Sequence, residues 1–161
     1  MSAATTGPAA GQGGPTEGLP PALAEIVEDF HAVSEPERLQ LLLDFSRGLP
    51  ALPPRYADHP ELLEPVPECQ SPIFLLTEVD DDADRTVRLF FSAPPEAPTT
   101  RGFAGILAEG LDGLPAAQVL DVPGDVCSRL GLDRAVSPLR LRGMTGMLGR
   151  IQRQVRESTA A

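Results

Sequence analysis

The stretch Pro67-Glu68-Cys69-Gln70-Ser71-Pro72-Ile73-Phe74-Leu75 marks the point where a long proline-rich loop gives way to the first clear strand. It holds one of only two cysteines in the 161-residue chain. A thiol at a loop-to-strand junction can be exposed and still held in place, and a reactive sulfur needs both properties. We therefore expect the rest of the chain to serve as a scaffold and docking surface for Cys69.

Two β-rich runs follow this junction, at residues 73–79 and 86–92, with Asp80-Asp81-Asp82-Ala83-Asp84 between them. In the second run apolar residues at 87, 89 and 91 alternate with polar ones, which is the period of a half-buried strand. The two runs predict an antiparallel hairpin with an acidic, solvated turn. Residues 64–66, just before the cysteine, fit a short edge strand of the same sheet.

Upstream, residues 1–20 lack apolar anchors and predict a disordered tail, and the folded domain is expected to span 21–157. A helical apolar pattern starts at Pro21. Ser34-Glu35-Pro36-Glu37 reads as a capping box that starts a second helix, and Gly48 fits its end. Residues 49–68 carry so many prolines that we expect an irregular segment without regular helix.

Downstream of the hairpin, Thr99 or Thr100 is expected to cap a helix, and shorter helices are expected at 114–121 and 125–130. Ser137-Pro138 opens the last helix with an N-cap and a proline in the first turn. Three glycines in this helix cost helix propensity, so we expect them to permit a close approach to a neighbour; they are Gly143, Gly146 and Gly149.

The last helix is also the one basic element predicted in an acidic chain. Arg150, Arg153 and Arg156 fall near its C-terminus, where the helix dipole favours positive charge. Arg140 and Arg142 fall in its first turns, where the dipole disfavours them, so a contact is the better reason for their presence.

Composition excludes several classes of function. The net charge is −10, which argues against nucleic acid or an anionic membrane as the main partner. The N-terminus shows no secretory signal and no stretch is long enough to span a membrane, so we expect a cytoplasmic protein. In that compartment a disulfide between Cys69 and Cys127 is not expected.

No metal site is predicted. His31 and His59 are not at metal-ligand spacing from the cysteines, and Cys127 fits a packing role in a short helix. Glu68 beside Cys69 should raise the pKa of the thiol by its charge, so a cation from elsewhere has to compensate. Arg140, or a cation from a partner, is our expectation for that role.

Four motifs follow one another along the chain: Leu49-Pro50-Ala51-Leu52-Pro53, Cys69-Gln70-Ser71 running into a strand, Thr100-Arg101-Gly102 opening a helix, and Ser137-Pro138-Leu139-Arg140 opening the last helix. Their order resembles that of the SufE family of sulfur acceptors for cysteine desulfurases. The resemblance covers residues 21–156.

The resemblance implies an α+β fold like that of SufE and IscU, with a small antiparallel sheet of about three strands covered by helices. It implies that Cys69 accepts persulfide sulfur from a PLP-dependent cysteine desulfurase and hands it to the iron–sulfur scaffold complex. The protein would be a carrier that stimulates the desulfurase, not an enzyme itself. It needs no cofactor of its own, because PLP belongs to the donor.

Binding roles are expected for four residues. Gln70 and Ser71, beside Cys69, can donate hydrogen bonds to a thiolate or a bound sulfur. The resemblance places Arg140 near the loop and the desulfurase-facing surface, and Arg101 where the family usually has Lys or Arg. The chain departs from the family at Glu68, where glycine is usual, and at Pro72-Ile73-Phe74. Two other readings stay open: a scaffold for an iron–sulfur cluster, and a docking module without sulfur chemistry. The oligomeric state is also open, with a homodimer among the options.

Overall fold

The structure is a computed structural model that describes residues 14–160. Three antiparallel strands form one sheet in the order in which they follow one another in the chain, and helices pack against it. This confirms the predicted α+β fold class. The elements are α1 (Pro21–Ala32), α2 (Glu35–Arg47), α3 (Pro54–Ala57), β1 (Glu64–Pro65), β2 (Phe74–Val79), β3 (Val87–Ser92), α4 (Pro98–Leu111), α5 (Ala116–Leu120) and α6 (Pro138–Thr159), with 3₁₀ turns at Pro60–Leu62, Pro67–Cys69 and Val126–Leu130.

The hairpin forms as predicted. β2 and β3 pair in register from Phe74 opposite Ser92 to Val79 opposite Val87. The Asp82 carboxylate closes the turn by accepting hydrogen bonds from the backbone and the hydroxyl of Thr86, at 2.8 and 2.6 Å. The acidic run therefore serves the turn itself. The predicted edge strand is also present, since β1 pairs with the start of β2.

Two regions differ from the sequence-based expectation, each at a proline. α4 begins at Pro98, before both predicted threonine caps, because proline fits the first helical position without losing a hydrogen bond. The segment predicted to lack helix contains the four-residue α3 and two 3₁₀ turns, each opened by a proline. Short turns of this kind tolerate proline only at their start.

The predicted tail also differs over the part that the structure describes. Residues 15–18 form a turn, and the Arg129 guanidinium donates to the carbonyls of Pro15 and Glu17, at 3.3 and 2.6 Å. Leu19 packs against the core. The remainder of the predicted tail, residues 1–13, lies outside the described residues.

α4 is the centre of the core, because it is buried along most of its length between α1, α2, α6 and the sheet. Its contact with α2 is very close: a methyl group on Gly102 would lie 2.5 Å from the carbonyl oxygen of Leu42. α6 lies across β2 and the 3₁₀ turn that carries Cys69. This arrangement places the last helix directly over the candidate site.

Candidate functional site

Cys69 ends the 3₁₀ turn Pro67–Cys69, inside a short loop that we call the Cys69 loop (residues 66–73). The backbone N–H of Val66 donates to the carbonyl of Ile73 at 3.0 Å, which ties the two ends of the loop together. Gln70 then turns the chain with a left-handed backbone, φ 56°. This conformation is uncommon for a residue other than glycine. The loop is thus a closed unit that presents one cysteine at its turn.

The thiol is not exposed, contrary to the expectation from sequence. Only 7% of Cys69 is accessible, and its Sγ donates to the carbonyl of Gly143 on α6 at 3.4 Å. Burial raises the pKa of the Cys69 thiol to about 12; the charge of Glu68 adds to this increase and Arg150 opposes it. The sequence misses the burial because the covering element, α6, lies more than seventy residues away.

Two glycines of α6 allow this contact. A methyl group on Gly143 would lie 3.0 Å from both Cα and Sγ of Cys69, and one on Gly146 would lie 3.1 Å from Cβ of Glu68. Gly149, in contrast, has no heavy atom of another element within 4 Å of such a methyl group among residues 14–160. The predicted close approach is confirmed for the first two glycines and wrong for the third.

An ion-pair cluster of Glu64, Glu68, Arg150 and Arg153 joins the Cys69 loop and β1 to α6. The Arg150 guanidinium donates to Glu68 at 2.8 and 2.9 Å and to Glu64 at 2.6 Å. Arg153 also pairs with Glu64. These bonds hold the pKa of the Glu68 carboxyl below its usual range, and that of Glu64 at about 2 despite the opposing effect of burial.

The cluster corrects the interpretation of these arginines. We assigned Arg150 and Arg153 to the helix dipole, but both bind carboxylates from the segment that leads to Cys69. The cation beside the thiol is therefore Arg150. The sequence predicts Arg140, or a cation from a partner, for this role. Only the arginines held a usable signal, since Arg150 and Arg153 are three residues apart and share one face of α6.

The four predicted binding residues lie in different places. Gln70 is exposed and Ser71 half-buried within the Cys69 loop, and no hydrogen bond to the thiol from either side chain is found among the described residues. Arg140 is exposed one turn before Gly143, on the same side of α6. The Arg101 guanidinium donates to the carbonyls of Ala93 and Ser46 at 2.7 and 3.3 Å, so it braces α4 against α2. Their roles in binding stay predictions.

Cys127 lies in the 3₁₀ turn Val126–Leu130 and is 2% exposed, which agrees with a packing role. Burial raises the pKa of its thiol to about 11. Both cysteines are free thiols. Residues 14–160 contain no group of three or more His, Cys, Asp or Glu side chains arranged to hold a metal ion.

A well-formed cavity within residues 14–160 is lined by neither cysteine. It has a volume of about 740 Å³ and lies between α2, α4 and β3, beside the Leu49–Leu52 segment. Its wall is mostly apolar, with Asp44, Glu109 and Asp112 at its polar positions together with Arg88. The residues that line this cavity include no cysteine, so sulfur chemistry is better placed at the Cys69 loop.

Comparisons with known proteins identify the family to which the chain is similar. Residues 24–155 match the family described as "SufE: Fe-S metabolism associated domain". A SufE-like protein of Mycobacterium tuberculosis is 57% identical over 140 residues, covering 87% of this chain and 95% of its own. SufE-like protein 1 of Arabidopsis thaliana, named as chloroplastic/mitochondrial, is 29% identical over 141 residues, covering 87% of this chain and 36% of its own.

A solved structure supports the fold independently. The solution structure of a hypothetical protein from Thermus thermophilus matches with a TM-score of 0.77 and 39% sequence identity. The match covers 89% of this chain and 99% of that one. Within residues 14–160, no helix is both long and apolar enough to cross a bilayer.

Proposed function

This chain belongs to the SufE family of Fe–S metabolism associated domains, and from that premise we propose that it is a sulfur carrier. Cys69 accepts sulfur from the persulfide of a PLP-dependent cysteine desulfurase and passes it to the iron–sulfur scaffold complex. The observation that carries the proposal is the position of Cys69, at the turn of a short closed loop that packs against Gly143 and Gly146 of α6.

The proposed step is an exchange at sulfur. The Cys69 thiolate attacks the outer sulfur of the desulfurase persulfide, a new S–S bond forms on Cys69, and the desulfurase cysteine leaves as a thiolate. No electrons are gained or lost overall, and the sulfur stays covalently bound as Cys69–S–SH. PLP stays on the desulfurase, where it supplies the carbon–sulfur bond cleavage. Delivery is the same kind of exchange: a thiolate of the scaffold attacks the outer sulfur of Cys69–S–SH, and Cys69 leaves as a thiolate.

The loop has to open for this step. With a thiol pKa of about 12, the thiolate fraction in the closed loop at pH 7 is about 10⁻⁵. A buried sulfur is also out of reach of a partner's persulfide. Moving Cys69 away from Gly143 removes the burial that raises its pKa, so opening supplies both access and ionisation. The closed loop protects the thiol between encounters.

The surroundings fit a partner that docks over the start of α6. Arg140 and Arg142 are on the helix that covers the Cys69 loop, Arg140 is exposed there, and both offer positive charge in an otherwise acidic chain. We assign Arg140 to contact with the desulfurase, with Gln70 and Ser71 on the rim of the opened loop. The transfer belongs in a reducing compartment, the cytoplasm, because a free thiol is required.

The test is persulfide mapping after incubation with a cognate desulfurase and cysteine. We expect added sulfur on Cys69 and none on Cys127, together with faster alanine formation. Cys69→Ser should abolish the stimulation, whereas Cys127→Ala should retain it. Equal stimulation by Cys69→Ser would refute the proposal, and a stable coloured cluster after anaerobic reconstitution would favour a scaffold instead.

A further inference from the structure

The ion pair between Glu68 and Arg150 joins the residue next to Cys69 to the helix that covers it. Resting on the sulfur-carrier function, we propose that this pair is a clasp that sets how often the Cys69 loop opens. Arg150 and Glu68 are thereby positioning residues for the sulfur chemistry, although neither needs to touch the transferred sulfur.

The geometry places the clasp across the path of opening. Glu68 precedes Cys69 in the chain, so the loop cannot lift the thiol from Gly143 without also moving Glu68 away from α6. The two Arg150–Glu68 bonds, at 2.8 and 2.9 Å, have to break in that movement. The third bond of Arg150, to Glu64 on β1, is not part of the loop and holds the guanidinium in place.

The exposed fractions of the side chains indicate which partner of the ion pair moves when the loop opens. The side chain of Glu68 is 43% exposed, while those of Arg150 and Glu64 are 25% and 28% exposed. The Nε–H of Arg150 is buried and has no acceptor among residues 14–160. A buried donor without a partner is unfavourable, and opening the loop lets water reach it. Glu68, the more exposed partner, is therefore the half that moves with the loop, while Arg150 stays on α6.

Glu68 and Arg150 have opposite charges near the same thiol. Substituting each of them in turn therefore distinguishes a clasp from a purely electrostatic effect on the pKa of the thiol. Glu68→Gln removes an anion, which lowers the pKa of Cys69, and Arg150→Gln removes a cation, which raises it. Both variants, however, break the same ion pair. A clasp therefore predicts the same direction of change for both, whereas local electrostatics predict opposite directions.

The experiment measures the rate at which iodoacetamide, a small neutral reagent, alkylates Cys69 in the full-length protein, with each cysteine resolved by peptide mass spectrometry. We expect Glu68→Gln and Arg150→Gln each to accelerate the reaction by about 1.4-fold to fivefold, the range for a partly exposed ion pair. The double variant should react no faster than the faster single variant, because both remove one interaction. Arg150→Lys, which keeps a charge for Glu68, should lie closer to the wild type.

The chain supplies two controls. Cys127 is buried elsewhere, so a general loss of stability would accelerate its alkylation as well, whereas release of the clasp leaves it unchanged. Arg156→Gln removes an exposed arginine further along α6 and should leave the Cys69 rate unchanged. Together they distinguish loop opening from unfolding and from a change in net charge.

Slower alkylation in Arg150→Gln with faster alkylation in Glu68→Gln would overturn the proposal, and so would unchanged rates in both. Parallel acceleration of Cys127 would overturn it too, since the effect would then be global. The assay contains no desulfurase, so its outcome is independent of the sulfur-carrier function. A chain with a working clasp that never gains sulfur on Cys69 would refute the carrier function alone.

Discussion

Replacing Gly143 with alanine should expose Cys69 without unfolding the protein. The new methyl group would lie 3.0 Å from Cα and Sγ of Cys69, closer than ordinary van der Waals contact. Both the helix backbone and the Cys69 loop are held by hydrogen bonds, but the loop is the part that can move away. The substitution therefore acts against the closed loop specifically.

The expected increase in the fraction of open loop follows from the free-energy terms that differ between the closed and the open state. Overpacking of a contact this tight costs about 1–3 kcal/mol, and only the closed loop bears it. The gain in helix propensity, about 1 kcal/mol, is present in both states and cancels in their ratio. Since about 1.4 kcal/mol is a factor of ten, the open fraction should rise by about fivefold to 150-fold.

The assay is the rate of Cys69 alkylation by iodoacetamide, followed beside the free energy of unfolding from urea titration. Gly149→Ala is the matched control: it is the same substitution in the same helix, but its methyl group meets no other element of the described chain. We expect it to raise stability slightly and to leave the alkylation rate unchanged. A wild-type rate for Gly143→Ala would show that this contact does not keep the loop closed, and the argument would fail.

Three further predictions concern residues around the loop and the core. The pKa of Glu64 is lowered to about 2 from an ordinary value of 4.5, so its stabilisation is complete well above pH 4.5 and is lost as the pH falls towards 2. Glu64→Gln should therefore flatten the acid dependence of the free energy of unfolding between pH 7 and pH 3 in urea titrations, by about 1–2 kcal/mol after allowance for solvent screening. Arg101→Gln should lower the free energy of unfolding by about 1–2 kcal/mol, because two carbonyls lose a donor. Arg140→Gln, at an exposed position, should leave stability within about 0.5 kcal/mol of wild type and weaken desulfurase binding in a pull-down titration. Equal pH profiles for Glu64→Gln and wild type, or a stability loss for Arg140→Gln as large as for Arg101→Gln, would contradict these expectations.

Local patterns along the chain were sufficient for most of the architecture. The apolar period of α1, the capping box before α2 and the alternation in β3 each depend on neighbours within one or two turns, and each element formed where it was expected. The errors fell at prolines, where the first turn of a helix can start one or two residues earlier than a polar cap suggests. The ordered turn before α1 was missed because Arg129, which binds it, is distant in sequence.

The sequence predicts part of the geometry around the candidate site. The junction between loop and strand singles out Cys69 as a candidate, whose role stays a prediction, and the glycines of the last helix predict a close contact, which Gly143 and Gly146 make. The sequence does not indicate which segment these glycines contact, because α6 and the Cys69 loop meet only in the folded molecule. The same distance concealed the pairing of Arg150 with Glu68 and Glu64, which dipole considerations alone assigned to the helix end.

The sequence by itself determined the identity of the thiol, the family to which the chain belongs and the order of helices and strands, since these depend on residue types and short-range spacing. Only the tertiary structure decided the state of that thiol. Burial against Gly143 raises its pKa, and the Arg150–Glu68 pair fastens its loop. Both effects arise from packing between segments more than seventy residues apart, where the loss of water and the approach of charges depend on the fold as a whole.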